Sequence, residues 1–312
     1  MEQPQTREQT ATQTTDATTT HVTTEGAPPT VVTPQGASGS CPTCSTAQAA
    51  PQVGLPPFVY VIGHIEPRFP LLSVEKELAQ ATKRGGGATM DLTDRQAMHK
   101  VLHDANNRYI VRQLCWVLLV QGIETYMLVP RDPADYQLLL NAYRAEPNPG
   151  DLEVVIGIRG PIASPTMCNG LLVPIVVFDQ IYYFDRKSLL EAIPQPKGAD
   201  PKKFTAAAGE MLDRIIQQSD NAGATDADRA LNYLAVRYEG IYSTAANAFA
   251  NNASFTSIDV LPSPLVGTRK IVDVVCAFTD RTTDVVSKYF VRVDVTEEFP
   301  FLLTKMSPYF DR

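Results

Sequence analysis

The sequence predicts an α+β protein, with a mixed, largely antiparallel sheet and packed helices, after a disordered N-terminal tail. Three observations carry this. Strand-like and helix-like segments alternate from Phe58 onward without the regular strand-helix-strand rhythm that a parallel sheet requires. Strand-like runs come in pairs across short turns, which favours hairpins. Met1 to about Gly54 is built from Thr, Gln, Ala, Pro and Ser, and so has little apolar surface to offset the entropy of ordering.

The first folded stretch sets the pattern. Phe58 to Ile62 is a β-branched and aromatic run, and Gly63, Pro67 and Pro70 then predict an irregular loop. Ser73 caps a helix with Val74, Leu78 and Ala81 on one face, and Gly85 to Gly87 stops it. Thr93 caps a second helix whose inward face holds Met98, Val101 and Leu102. Cys115 to Val120 and Ile123 to Val129 read as a hairpin turned at Gly122, and Ala134 to Arg144 as a helix. Leu152 to Ile158 is a strand, Leu171 to Asp179 and Gln180 to Phe184 a second hairpin, and Ser188 to Ile193 a short helix. Pro194 to Pro201 concentrates Pro, Gly and charge and marks the internal boundary. Beyond it, Phe204 to Gln218 and Asp226 to Ala250 are amphipathic helices. Ser257 to Leu261, Lys270 to Thr279 and Asp284 to Val295 are strands, and the apolar Phe299 to Phe310 is expected to dock on the fold. The expected organisation is a tail at 1–54 and two α+β subdomains at 55–195 and 196–312.

A net charge of −7 with no block of Lys or Arg gives no electrostatic reason for nucleic acid or anionic membrane as a partner. Apolar runs such as Leu171 to Phe178 fall short of a membrane span, and the N-terminus has no secretory h-region, so a cytoplasmic location is expected. The tail carries Cys41-Pro42-Thr43-Cys44. Two thiolates at this spacing supply half of a tetrahedral zinc site. A second copy of the chain would supply the other half, making zinc a clasp for a homodimer; two inert linker cysteines are the alternative.

Ionisable residues concentrate at the first strand-to-helix junction. His64, Glu66 and Arg68 are candidates for acid/base work, since histidine titrates near neutrality and the flanking charges bias it. The alternative is a salt-bridged loop in which Arg68, held extended between Pro67 and Pro70, pairs with Glu66, Glu75 or Glu77. Arg68, Glu75 and Cys168 are the candidate binding residues, Cys168 lying in the Gly160 to Gly170 loop. Cys168 with His64 would make a thiol site. His99 and His103 share a helical face, but Lys100 stands where a zincin has its glutamate, and surface histidines are the simpler reading.

The stretch VYVIGHIEPRFPLLSVEKELAQAT, together with the closing PFLLTKMSPYFDR, resembles the C-terminal domain of unknown function of cyanobactin maturation proteases of the PatG type. The resemblance runs through much of Phe58 to Arg312 and leaves out the tail. It implies a place in the biosynthesis of ribosomally made, post-translationally modified peptides, as an accessory or scaffold domain that binds a precursor peptide or a partner enzyme. The subtilisin-like protease of those proteins does not appear in this sequence, so proteolysis is not implied. The rival readings are a peptide-modifying enzyme using His64, Glu66 and Arg68, and a zinc-clasped structural dimer.

Overall fold

A computed structural model describes residues 57–84, 93–148, 150–193, 195, 200–217, 221–265 and 267–310. Five strands close into a small barrel in the order β1-β2-β3-β5-β4. They are β1 (Phe58–Arg68), β2 (Cys115–Val120), β3 (Ile123–Pro130), β4 (Asp151–Ile162) and β5 (Pro174–Asp185). All neighbours are antiparallel except β3 and β5, which run parallel, so the sheet is mixed. Val59, Val61 and Ile65 of β1, Trp116 and Leu118 of β2, Leu128 of β3, Val155 of β4 and Phe178 of β5 belong to one buried cluster. Helices α1 (Leu72–Arg84), α2 (Asp94–His103), α3 (Arg108–Gln113) and α4 (Tyr136–Ala142) extend that cluster through Leu78, Leu102, Ile110 and Leu139. Thr93 caps α2, as its sequence predicts, and the cap is a full capping box with Gln96.

Two expectations fail in the barrel. The residues after Gly63 are not an irregular loop: β1 continues to Arg68, pairing with β4 up to Gly63 and with β2 from His64. Beyond Gly63 the strand has one neighbour, the setting in which a sheet tolerates a proline such as Pro67. Nor is 171–184 a hairpin: from Pro174 onward it runs as the single strand β5. The polar Asp179-Gln180 pair that reads as a turn is a β-bulge, because Ile156 faces Gln180 while Gly157 faces Phe178. A Cβ on Gly157 would lie 2.3 Å from the Val177 carbonyl oxygen, so the kinked ladder requires glycine there.

The rest of the chain builds a second, antiparallel sheet in the order β10-β8-β7-β6, with β9 added to β8. Its strands are β6 (Ala253–Pro262), β7 (Ile271–Asp280), β8 (Val286–Asp294), β9 (Phe301–Leu302) and β10 (Ser307–Tyr309). Helices α5 (Arg186–Ala192), α6 (Pro201–Ile216), α7 (Asp226–Arg237) and α8 (Gly240–Ala250) precede it. The expected single helix from Asp226 to Ala250 is two, because Tyr238 leaves helical geometry at ψ 95° just before the helix-weakening Gly240. The Tyr238 hydroxyl accepts a hydrogen bond from the Met306 N–H at 2.8 Å, tying the C-terminal segment down.

Alternation along β1 joins these parts. Tyr60 and Ile62, on the face opposite Val59 and Val61, share a core with Phe204 and Met211 of α6, Leu234 of α7 and Val274 and Val291 of the second sheet. The stretches 55–195 and 196–312 thus bury apolar side chains against each other, within one compact unit. Polar contacts reinforce the join. Asn232 donates to the Tyr60 carbonyl at 2.8 Å, and the Tyr60 N–H donates to the Gly223 carbonyl at 2.9 Å. Arg229, 3% exposed, donates to the carbonyls of Val295, Glu297 and Glu298 and so holds the segment after β8. Among the described residues, no helix is long and apolar enough to cross a membrane.

Candidate functional site

The candidate residues of β1 lie where that strand passes from β4 to β2. Because β1 stays extended, His64, Glu66 and Arg68 recur at every second position and project from the same face. Each finds a different partner. The His64 Nδ1 stands 3.5 Å from Oε2 of Glu153 on β4, with the carboxylate side chain only 6% exposed. Glu66 receives Nη1 of Arg95, on α2, at 2.7 and 2.9 Å. Arg68 pairs with Glu124 on β3.

This last contact corrects the expected pairing of Arg68 with Glu66, Glu75 or Glu77. An extended β1 lays Arg68 across the barrel wall beside β2 and β3, whereas Glu75 is exposed on the first turn of α1.

A second ring of polar groups surrounds the first. Arg95 donates through Nε to the Arg144 carbonyl at 2.8 Å and stacks over the Tyr143 ring at 4.3 Å. The Arg144 guanidinium covers the Tyr183 ring at 3.3 Å. Asp151 is buried and accepts the Asn148 N–H at 2.8 Å. The adjacent Glu153 carboxylate raises the His64 imidazole above its ordinary value, against the opposing effect of burial. Burial in turn raises the Glu153 carboxyl, so the two groups compete to hold a proton. The space among His64, Glu66, Arg95, Arg144, Asp151 and Glu153 measures about 30 Å³, enough for a single water and far below what a ligand needs.

Cys168 does not meet His64. It is buried with Val117, Met127, Ala163 and Val173, against the Cys115 thiol, and burial raises it above an ordinary cysteine. His99 and His103 stack with ring centroids 3.9 Å apart, and His103 Nδ1 lies 2.9 Å from the His99 carbonyl, an arrangement that does not converge on a metal. Among the described residues no group of three or more His, Cys, Asp or Glu side chains could hold a metal ion; Cys41 and Cys44 lie outside those residues.

Several participants escaped sequence reasoning. Glu153 left a signal, as the lone charge inside the apolar strand from Leu152 to Ile158. Arg95 and Arg144 left none, since an arginine on a helix or just beyond one is ordinary. A second carboxylate site was also missed. Asp179, thrown outward by the β5 bulge, pairs with Arg131 at 2.7 Å, and Glu298 lies 4.0 Å from the same guanidinium. Burial, then the neighbouring Asp179 carboxylate, push Glu298 up to about 7.

Fold and site together define an α+β protein in which a closed five-stranded barrel packs through helices on an antiparallel sheet, with ion pairs engaging the charged residues of β1. Residues 198–309, from the boundary segment to β10, match the family model described as PatG C-terminal. Among solved structures the chain is similar to one titled PatG Domain of Unknown Function, with a TM-score of 0.66 at 21% identity, covering 82% of this chain and 99% of that one. The family match is confined to residues 198–309 and the structural likeness shows a shared fold; both agree with the resemblance seen in the sequence. No curated protein matches the sequence.

Proposed function

We propose that the chain is an accessory domain in the biosynthesis of ribosomally made, post-translationally modified peptides of the cyanobactin kind, and that it binds the precursor peptide without transforming it. A PatG-type C-terminal domain fits that context. The observation that carries the non-catalytic reading is the fate of the junction residues. An enzyme needs a polar constellation opening on a cavity that admits substrate. Here His64, Glu66 and Arg68 are each engaged by an internal partner, and the space beside His64 and Glu66 is only about 30 Å³.

The test is direct. A fluorescently labelled precursor peptide is titrated with the full chain, and its mass is followed after prolonged incubation. Saturable binding with an unchanged peptide mass is expected. Any mass change that requires the chain favours the peptide-modifying enzyme, and absence of binding sinks the precursor as the partner.

A further inference from the structure

A concave pocket of about 450 Å³, within the range of ligand-sized sites, lies between the last turns of α8 and the β7–β8 hairpin. Small side chains make the room: Ala248 on α8 and Ala253 at the start of β6 leave Phe278 as a floor, itself 1% exposed. Tyr289 meets Phe278 edge to face, with centroids 6.0 Å apart, and forms an aromatic wall. Around this apolar centre stand Asn247, Ser287 and Tyr289, whose side chains have no hydrogen bond to any described residue. The lining contains no lysine or arginine. Its one carboxylate, Asp280, already accepts through Oδ1 from the Thr282 N–H, the Thr283 N–H and the Thr283 hydroxyl. An anionic ligand group would therefore lose hydration, meet a carboxylate whose charge those neutral donors do not cancel, and face the negative end of the α8 dipole.

We propose that this pocket recognises a segment of peptide free of acidic side chains, taking an aliphatic side chain onto Phe278 and the flanking backbone amides onto Asn247, Ser287 and Tyr289. The proposal rests on the accessory-binding reading above and gives it a location and a chemical preference. Phe278 is already shielded from water, so affinity comes from burying the ligand's own aliphatic side chain and the exposed Val285 of the lining, and the three neutral polar groups match the donors and acceptors of a peptide backbone.

The experiment uses the full chain, isotope-labelled for amide NMR, with two small probes: N-acetyl-leucine N-methylamide and N-acetyl-aspartate N-methylamide. The leucine probe is expected to shift amides in 247–253 and 278–289, and the aspartate probe to bind about tenfold more weakly or less. Ala248→Trp, which fills the pocket, should abolish the response; Tyr289→Phe, which removes one hydroxyl, should weaken it about fivefold with the melt unchanged. Leucine-probe shifts elsewhere, equal binding of both probes, or wild-type binding by Tyr289→Phe together with Asn247→Ala would overturn the proposal. Precursor peptide that binds wild type and folded Ala248→Trp equally removes the pocket and leaves the accessory reading standing. Probe binding here without any precursor binding does the reverse.

Discussion

The half-exposed imidazole of His64 stands 3.5 Å from the buried carboxylate of Glu153, across the point where β1 leaves β4. Both groups hold a proton more tightly in the folded chain than in an open one. For His64 the stabilisation is complete below its ordinary value of 6.5 and is lost as pH rises through its higher folded value; for Glu153 the loss begins above 4.5. Stability should therefore fall as pH rises across this window. His64→Ala should cost about 1 to 2 kcal/mol near pH 6, discounted for the solvent that reaches the imidazole, and should flatten the fall above pH 6.5. Urea titrations at several pH values measure both. An unchanged pH profile in the variant would show that the pair does not couple protonation to folding.

Arg68 makes a different case. Its ion pair with Glu124 is wet, the arginine side chain being 51% exposed, so Arg68→Ala should cost less than about 1 kcal/mol. A loss of several kcal/mol in chemical denaturation, as for a buried pair, would contradict this placement.

Glu298 and Asp179 share a partly buried site with Arg131. Glu298 is pushed up to about 7 from 4.5, so the folded state gains a proton relative to the unfolded one between those values. Folding stability should decline from pH 4.5 to 7 by on the order of 1 to 2 kcal/mol and level off above, the charge being partly screened. Glu298→Gln keeps a donor, removes the titration and should be more stable than the wild type above pH 7. Parallel pH profiles for the two proteins would count against the shared proton.

Gly223 occupies the left-handed region at φ +68°, and a Cβ there would lie 2.5 Å from the Tyr60 carbonyl oxygen. Gly223→Ala combines backbone strain with a collision at the contact between β1 and the segment before α7, and should cost about 2 to 3 kcal/mol. A thermal melt within a degree of the wild type would refute that close approach.

Much of this protein was legible in the chain itself. Apolar periodicity placed most helices and strands, Thr93 marked the start of α2 as its cap, and the composition after Gly54 announced a folded α+β body. These are local signals, carried by residues within a few positions of one another. What the sequence alone could not decide was pairing. Asp179-Gln180 carries the chemistry of a turn, and only the facing strand β4 makes it a bulge inside β5. Gly63 and Pro67 look like the end of a strand, yet β1 continues because β2 takes over where β4 leaves off.

The same holds for the site. His64, Glu66 and Arg68 were visible as a charged cluster, but their meaning depended on Glu153, Arg95 and Glu124, which are distant in sequence and reach them only when the barrel closes. Charge reads along the chain, whereas its neutralisation depends on distances of a few ångströms between strands and helices far apart in sequence. Composition and local pattern determined the elements and their fold class; long-range packing decided which polar groups were consumed internally and which, around Phe278, were left facing an open pocket.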